Sequence, residues 1–281
     1  MTAGFGARLA ARVAATAPVA VGIDPHLARV PGLDLHGTPT QQADAVRSFG
    51  LAVVRAVAPT VAMVKPQVAF FEQLGAPGVA ALHDVVAAAR DAGLLVLLDA
   101  KRGDIGSTAE AYARATLDDD GPVGADAVTV SPYLGPESLE PFRRRAPQGK
   151  GMFVLLRTSN PGAGPWQADT GIARAVADWV REANEDGLGS VGVVVGGTLP
   201  DEAPTWRRKL PRAWFLVPGF GAQGATVDDV RGHFLPDGSG AIVTASRSVL
   251  FPAEGREGVD AMEEGIARRA RGLVQSLRQE A

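Results

Sequence analysis

Charged residues recur where apolar runs end, and their spacing is the first sign of chemistry in this chain. The richest stretch is LLVLLDAKRGDIGSTAEAYA, residues 94–113. Asp99 and Lys101 are two residues apart in it, so on an extended strand they face the same side. Asp104 follows past Gly103, where the chain turns, and Ser107 with Glu110 has the spacing of a capping box for the next helix. Lys65 ends another apolar run, in VAMVKPQVAFF, and Asp24 ends a third, in VGIDPH. Singly, each is an ordinary strand-end charge or ion pair. Together they bring charges of alternating sign to one mouth, and such a network holds ammonium and carboxylate groups in their charged forms at neutral pH.

A second constellation suits an anion. The segments VPGFGAQGA (217–225) and TASRSV (244–249) follow two late apolar runs. Gly219, Gly221 and Gly224 allow backbone N–H groups to come close to a phosphate, although the same glycines also serve a tight turn. Arg247, beside Ser246, adds a forked, charge-assisted contact, and Gln223 a further hydrogen bond. In LLRTSNPG, Ser159 can donate to or accept from a heterocyclic amide, although Ser159 and Asn160 before Pro161 also read as a plain turn. His26, His36, His83 and His233 are scattered without a metal-ligand spacing, and His83 and His233 read as structural or surface residues. No metal and no cofactor are expected.

What must position these groups is a set of strand ends. Eight short apolar runs recur, at 19–23, 61–64, 94–98, 127–130, 152–156, 191–195, 214–217 and 241–244. Most are continuous rather than alternating, as in parallel strands covered on both faces. Helical segments lie between most of them, at 41–58, 77–92, 107–117, 171–185 and 200–208, with another at 257–278. A short helix at 227–234 is expected before the last strand. This alternation predicts an α/β fold, a closed (β/α)₈ TIM barrel, over the alternative of a doubly wound open sheet. Residues 1–281 read as a single barrel domain. In such barrels the chemistry sits at the C-terminal ends of the strands, and phosphate binds after the last two.

Composition narrows the classes. Of 281 residues, 46% are hydrophobic, enough for a large core, and the net charge of −3 with no basic block argues against nucleic acid as a partner. The chain has no cysteine, which excludes disulfides and thiolate catalysis. Arg8 and Arg12 among small residues make an N-terminal targeting segment conceivable, but no apolar run there has the length of a signal core. No run reaches a membrane span, and a cytoplasmic protein is expected.

The motifs VGIDPH, VKPQVAFF, LLDAKRGDIGSTAEAYA, TVSPYLG, LLRTSNPG, VPGFGAQG and SRSVLF run in order from residue 21 to residue 251. Together they resemble the orotidine 5′-phosphate decarboxylase family, specifically its longer bacterial subgroup. DAKRGDIGSTAEAYA is the most specific of them. The sequence departs from that subgroup at Ser131, where Asn is usual, and at strand eight, where TASRS replaces a run closer to NSSRG. The resemblance implies cofactor-independent decarboxylation of a nucleotide substrate in a homodimer with active sites at the subunit interface. It implies that Lys65, Asp99 and Lys101 serve one site while Asp104, Ile105 and Thr108 reach into the partner's. Asp24 matches a ribose contact, Ser159 a pyrimidine contact, and Gln223 and Arg247 phosphate contacts. Lys101 is then the candidate proton donor to C6, and Asp99 the group beside the substrate carboxylate. Two other readings stay open: a Mg²⁺-dependent sugar-phosphate decarboxylase or aldolase on a related barrel, and a non-catalytic pyrimidine-nucleotide-binding barrel.

Overall fold

The computed structural model describes residues 3–168, 171–184, 187–221, 223–253 and 258–279. Eight strands close into a parallel barrel in sequence order. They are β1 (Val19–Ile23), β2 (Met63–Pro66), β3 (Leu95–Arg102), β4 (Ala127–Val130), β5 (Gly151–Arg157), β6 (Val191–Val195), β7 (Phe215–Val217) and β8 (Ala241–Ala245). The ring closes where β8 pairs with β1 through Val243 and Val19. Every residue of β1, β4, β6, β7 and β8 is buried, which is why their sequences run apolar without alternation.

The barrel expected from the sequence is therefore present, with shifts at element ends. β2 starts two residues later than the apolar run at 61–64, because Val61 still bonds back to Val57 of the preceding helix. That places Lys65 inside the strand, opposite Gly22 of β1. The longer outer helices are Pro39–Val57, Gly75–Asp91, Gly106–Leu117, Ile172–Ala183 and Val259–Gln279. Positions 185 and 257 of the expected helices, and Ala222 of the glycine-rich loop, lie outside the described residues. The short helix before β8 is Val227–Arg231. Between β4 and β5 a single α-helical turn, Glu140–Arg143, stands among 3₁₀ turns.

One local expectation fails. The capping box at Ser107 and Glu110 does not form: the helix starts at Gly106, its N-cap is Ile105, and no side chain caps it. Glu110 is taken instead by Arg145, 2.6 Å away. The first residues also hold structure that the sequence reading left blank. Helix Phe5–Ala15 closes the N-terminal end of the barrel, with Phe5 and Leu9 packed among Ala20, Met63, Leu97, Phe153 and Ile242. Each of those two buried side chains is worth roughly 1.5–3 kcal/mol relative to exposure. Gly151 permits this plug, since a Cβ there would lie 2.3 Å from the Phe5 ring. Arg8 pairs with buried Asp126 at 2.5 Å, and Arg12 donates to the carbonyl of Ala58 at 2.7 Å. Asp126 in turn accepts from the Val96 amide, so the plug is tied to the strands.

Candidate active site

With its N-terminal end filled, the barrel holds at the other mouth a cavity of about 490 Å³ lined from the strand ends. Its charged wall is built by β2 and β3. Asp99 accepts from Lys65 Nζ through Oδ2 at 2.7 Å and from Lys101 Nζ through Oδ1 at 2.5 Å. The side chains of Lys65 and Asp99 are 10% and 9% exposed, whereas that of Lys101 is 47% exposed. One carboxylate is thus shared by a buried ammonium and one that reaches into the open cavity.

Burial works against the charge on both members of the inner pair, and their mutual attraction overrides it. Desolvation pulls Lys65 down, but Asp99 and then Asp24 more than reverse this, and its pKa lies above the ordinary lysine value. Desolvation pushes Asp99 up, but Lys65 and Lys101 hold it well below the usual carboxylate range. Asp99 is therefore an anion throughout the neutral range.

Asp99 and Lys101 do face one cavity, but not through the two-residue alternation of a flat strand. The β3–β4 register breaks between Leu98 and Arg102. Within that break Lys101 has φ of 45°, the one positive value among the described non-glycine residues. Thr129 of β4 donates to Asp99 Oδ1 at 3.0 Å.

Another part of the lining holds the glycine-rich loop and Arg247 expected from sequence to meet an anion. Gly219, Gln223, Ser246 and Arg247 all line the cavity. Gly219, Gly221 and Gly224 have φ of 108°, 68° and 93°, a region that glycine alone enters freely, so the loop requires them. Gly221 itself stands back from the cavity lining, near Ser248. Ser246 donates to Asp24 Oδ2 at 2.6 Å, which joins the first strand to the last. The other oxygen of Asp24, Oδ1, is buried and accepts nothing from the protein. A buried carboxylate oxygen without a donor is uncommon, and Asp24 is one of the residues that line the cavity.

The remaining wall is apolar below and polar above. Leu155, Val194, Leu216 and Pro218 form the apolar part, beside Ser159 and Asn160. The loop carrying Ser159 is fixed by Gln167, whose Oε1 accepts from the Thr158 amide and whose Nε2 donates to Thr158 Oγ1, both at 2.8 Å. Arg157, at the base of the same loop, pairs with Glu202 at 2.6 Å.

Of the residues singled out from sequence, Asp24, Lys65, Asp99, Lys101, Ser159, Gly219, Gln223, Ser246 and Arg247 converge on this cavity. Asp104, Ile105 and Thr108 do not line it. Asp104 accepts from the Ile105 amide at 2.8 Å, and Ile105 is 54% exposed at the surface beside the mouth. Sequence reasoning passed over Thr129, Gln167 and Gln67. Thr129 was findable as the lone polar residue in the run AVTV; Gln167 carried no signal, since only the fold of its loop turns it back to Thr158. His233 is buried with its two ring nitrogens facing the carbonyls of Val230 and Gly196, and burial lowers its pKa to about 4, so the neutral ring donates to one of them. Among the described residues no group of three or more His, Asp or Glu side chains is arranged to hold a metal ion. Nor is any described helix long and apolar enough to cross a membrane.

Known proteins share this barrel and much of this sequence. A curated orotidine 5′-phosphate decarboxylase from Rhodopirellula baltica is 44% identical over 270 residues, spanning 88% of each chain. A solved chain from Streptomyces avermitilis superposes with a TM-score of 0.84 at 39% identity, covering 99% of this chain and 97% of that one. The OMP decarboxylase of Leishmania donovani superposes with a TM-score of 0.80 at 33% identity, covering 99% and 98%. Residues 20–261 match the profile of the orotidine 5′-phosphate decarboxylase / HUMPS family, and with these relatives the chain belongs to that family.

Proposed function

We propose that this chain is a carboxy-lyase that converts orotidine 5′-phosphate to uridine 5′-phosphate in pyrimidine biosynthesis, with Lys101 delivering the proton to C6. The observation that carries the reading is the shared carboxylate of Asp99, held ionised between buried Lys65 and half-exposed Lys101 at the wall of the cavity. A binding protein has no use for a carboxylate facing an anionic substrate. A decarboxylase does. The C6–carboxylate bond breaks, its electron pair stays on C6, and CO₂ leaves. The vinyl carbanion has no adjacent electron sink, so stabilisation near the upper end of enzyme values, roughly 20 kcal/mol, is required. The Lys101 ammonium stabilises that pair and then transfers one proton to it, and solvent restores the proton to the lysine.

The other groups hold the nucleotide. Asp24 suits a ribose hydroxyl, with Lys65 beside it, and Ser159 suits the pyrimidine amide. Gln223, Ser246, Arg247 and the amides around Gly219 and Gly221 suit the phosphate, whose binding energy organises the distant charges. Asp104, Ile105 and Thr108, displaced from their own cavity and partly exposed, suit the site of a second copy in a homodimer. The whole chain acts as one barrel domain in the cytoplasm, without a cofactor.

Lys101→Ala tests the donor. Turnover of orotidine 5′-phosphate should vanish, while binding of uridine 5′-phosphate stays within about tenfold, near 1.4 kcal/mol. A variant that keeps more than a tenth of the wild-type kcat would remove Lys101 from that role.

A further inference from the structure

Thr129 lies inside the barrel wall at 1% exposure, in a strand whose other residues are Ala127, Val128 and Val130. Its hydroxyl makes three hydrogen bonds. It accepts from the amide of Ala100 at 3.0 Å and from the amide of Lys101 at 2.9 Å, and it donates to Asp99 Oδ1 at 3.0 Å. A hydroxyl has one proton and two lone pairs, so its capacity is full. The direction is also fixed: both lone pairs face N–H donors, and the proton is left for the carboxylate.

Those two amides belong to the irregular part of β3. Leu98 pairs with Val128 and Arg102 pairs with Val130, so three residues, Asp99 to Lys101, stand opposite one, Thr129. In a regular strand neighbouring amides point to opposite edges, so β4 would receive only one of these two. Here both turn to one side chain of β4, and the arrangement lets Lys101 keep its φ of 45°. A non-glycine residue in that region is strained and persists only where its surroundings over-determine it. Thr129 supplies that determination from one atom, and the same atom orients Asp99.

We infer that Thr129 is a positioning residue: its hydroxyl clamps the left-handed turn at Lys101 and aims Asp99, setting both charges that flank the reacting carbon. The inference rests on the decarboxylase reading for its effect on catalysis, but not for the clamp itself.

Thr129→Val keeps the shape and removes the hydroxyl; Thr129→Ser keeps the hydroxyl and removes the methyl. Both are to be compared with wild type in melting temperature, kcat and KM for orotidine 5′-phosphate, affinity for uridine 5′-phosphate, and amide hydrogen exchange of the segment 97–103. Thr129→Val should lose at least thirtyfold in kcat, with KM and product affinity within threefold, and the amides of Ala100 and Lys101 should exchange faster. Thr129→Ser should stay within threefold of wild type in kcat and exchange as wild type does. A core-filling role alone would spare the valine variant and penalise the serine one. The inference is overturned if valine keeps kcat within threefold, if serine falls as far as valine, or if exchange at 100 and 101 is unchanged in the valine variant. Should valine prevent folding, Thr129→Ala takes its place against the same serine control. If wild type itself fails to turn over the nucleotide, the decarboxylase reading is lost, and the exchange measurement still decides whether the clamp exists.

Discussion

Asp99→Asn removes the anion that lies between two ammonium groups, and its cost can be worked from the site. Lys101, 47% exposed, can swing its charge into water at little expense. Lys65 cannot, since its side chain is 10% exposed and its strand is fixed on both sides. Breaking a buried pair from one end typically costs about 3–5 kcal/mol. Deprotonation of Lys65 sets a ceiling. From the ordinary value of 10.5, neutralising it costs about 1.4 kcal/mol per pH unit, hence roughly 5 kcal/mol at pH 7 and about 2 kcal/mol at pH 9. In the wild type the folded pKa of Lys65 is raised, so its contribution is complete below the unfolded value and is lost only as pH rises through the folded one. Asp99 is depressed, so its contribution is complete above the unfolded carboxylate value and is lost only in acid. Between pH 7 and pH 9 this pair therefore gives the wild type no slope. In the variant, burial dominates Lys65 and the unfolded state binds more protons, so stability rises with pH. Urea unfolding at the two pH values should give a deficit of about 3–5 kcal/mol at pH 7, shrinking to about 2 kcal/mol or less at pH 9. An equal deficit at both, or a variant as stable as wild type at pH 7, would refute the picture of a buried lysine held charged by Asp99.

Other expectations follow from the remaining walls of the site. Arg247→Ala should raise KM for orotidine 5′-phosphate severely and hardly change activity on the nucleoside lacking phosphate; equal damage to both would make Arg247 structural. Lys101→Ala and Asp104→Ala homodimers should each be nearly inactive, and random re-association of equal amounts, verified with two affinity tags, should restore about a quarter of wild-type activity, as a two-fold shared site requires. Mixed dimers as inactive as their parents would return Asp104 to its own subunit. Gly22→Ala should impair substrate binding, because the new Cβ would sit 2.8 Å from the Ser246 Cβ and force apart the Ser246–Asp24 bond; unchanged KM would remove that bond from the site.

Much of the fold was legible because a barrel strand buried on both faces writes itself as a continuous apolar run, and several site residues stand just past one. The site was legible for the same reason: Asp24, Lys65, Asp99 and Arg247 sit at or near strand ends, where a charge interrupts the pattern. What escaped notice depends on tertiary context. The plug helix Phe5–Ala15 is read from its small and basic residues only once the barrel end exists to receive Phe5 and Leu9. The capping box at Ser107 does not form because the helix already begins at Gly106, and Glu110 pairs instead with Arg145, 35 residues away. The approach of Asp99 and Lys101 was foreseen by an argument that does not hold at that point, since the strand is broken there and Thr129 fills the gap.

The decarboxylase reading requires that these charges act on the nucleotide by themselves. The direct measurement is the loss of orotidine 5′-phosphate absorbance with purified protein, after exhaustive treatment with EDTA, with the product identified as uridine 5′-phosphate. Full activity in chelator, unchanged by added Mg²⁺, is the predicted result. An unaltered nucleotide, or activity that disappears with chelation and returns with Mg²⁺, would contradict it.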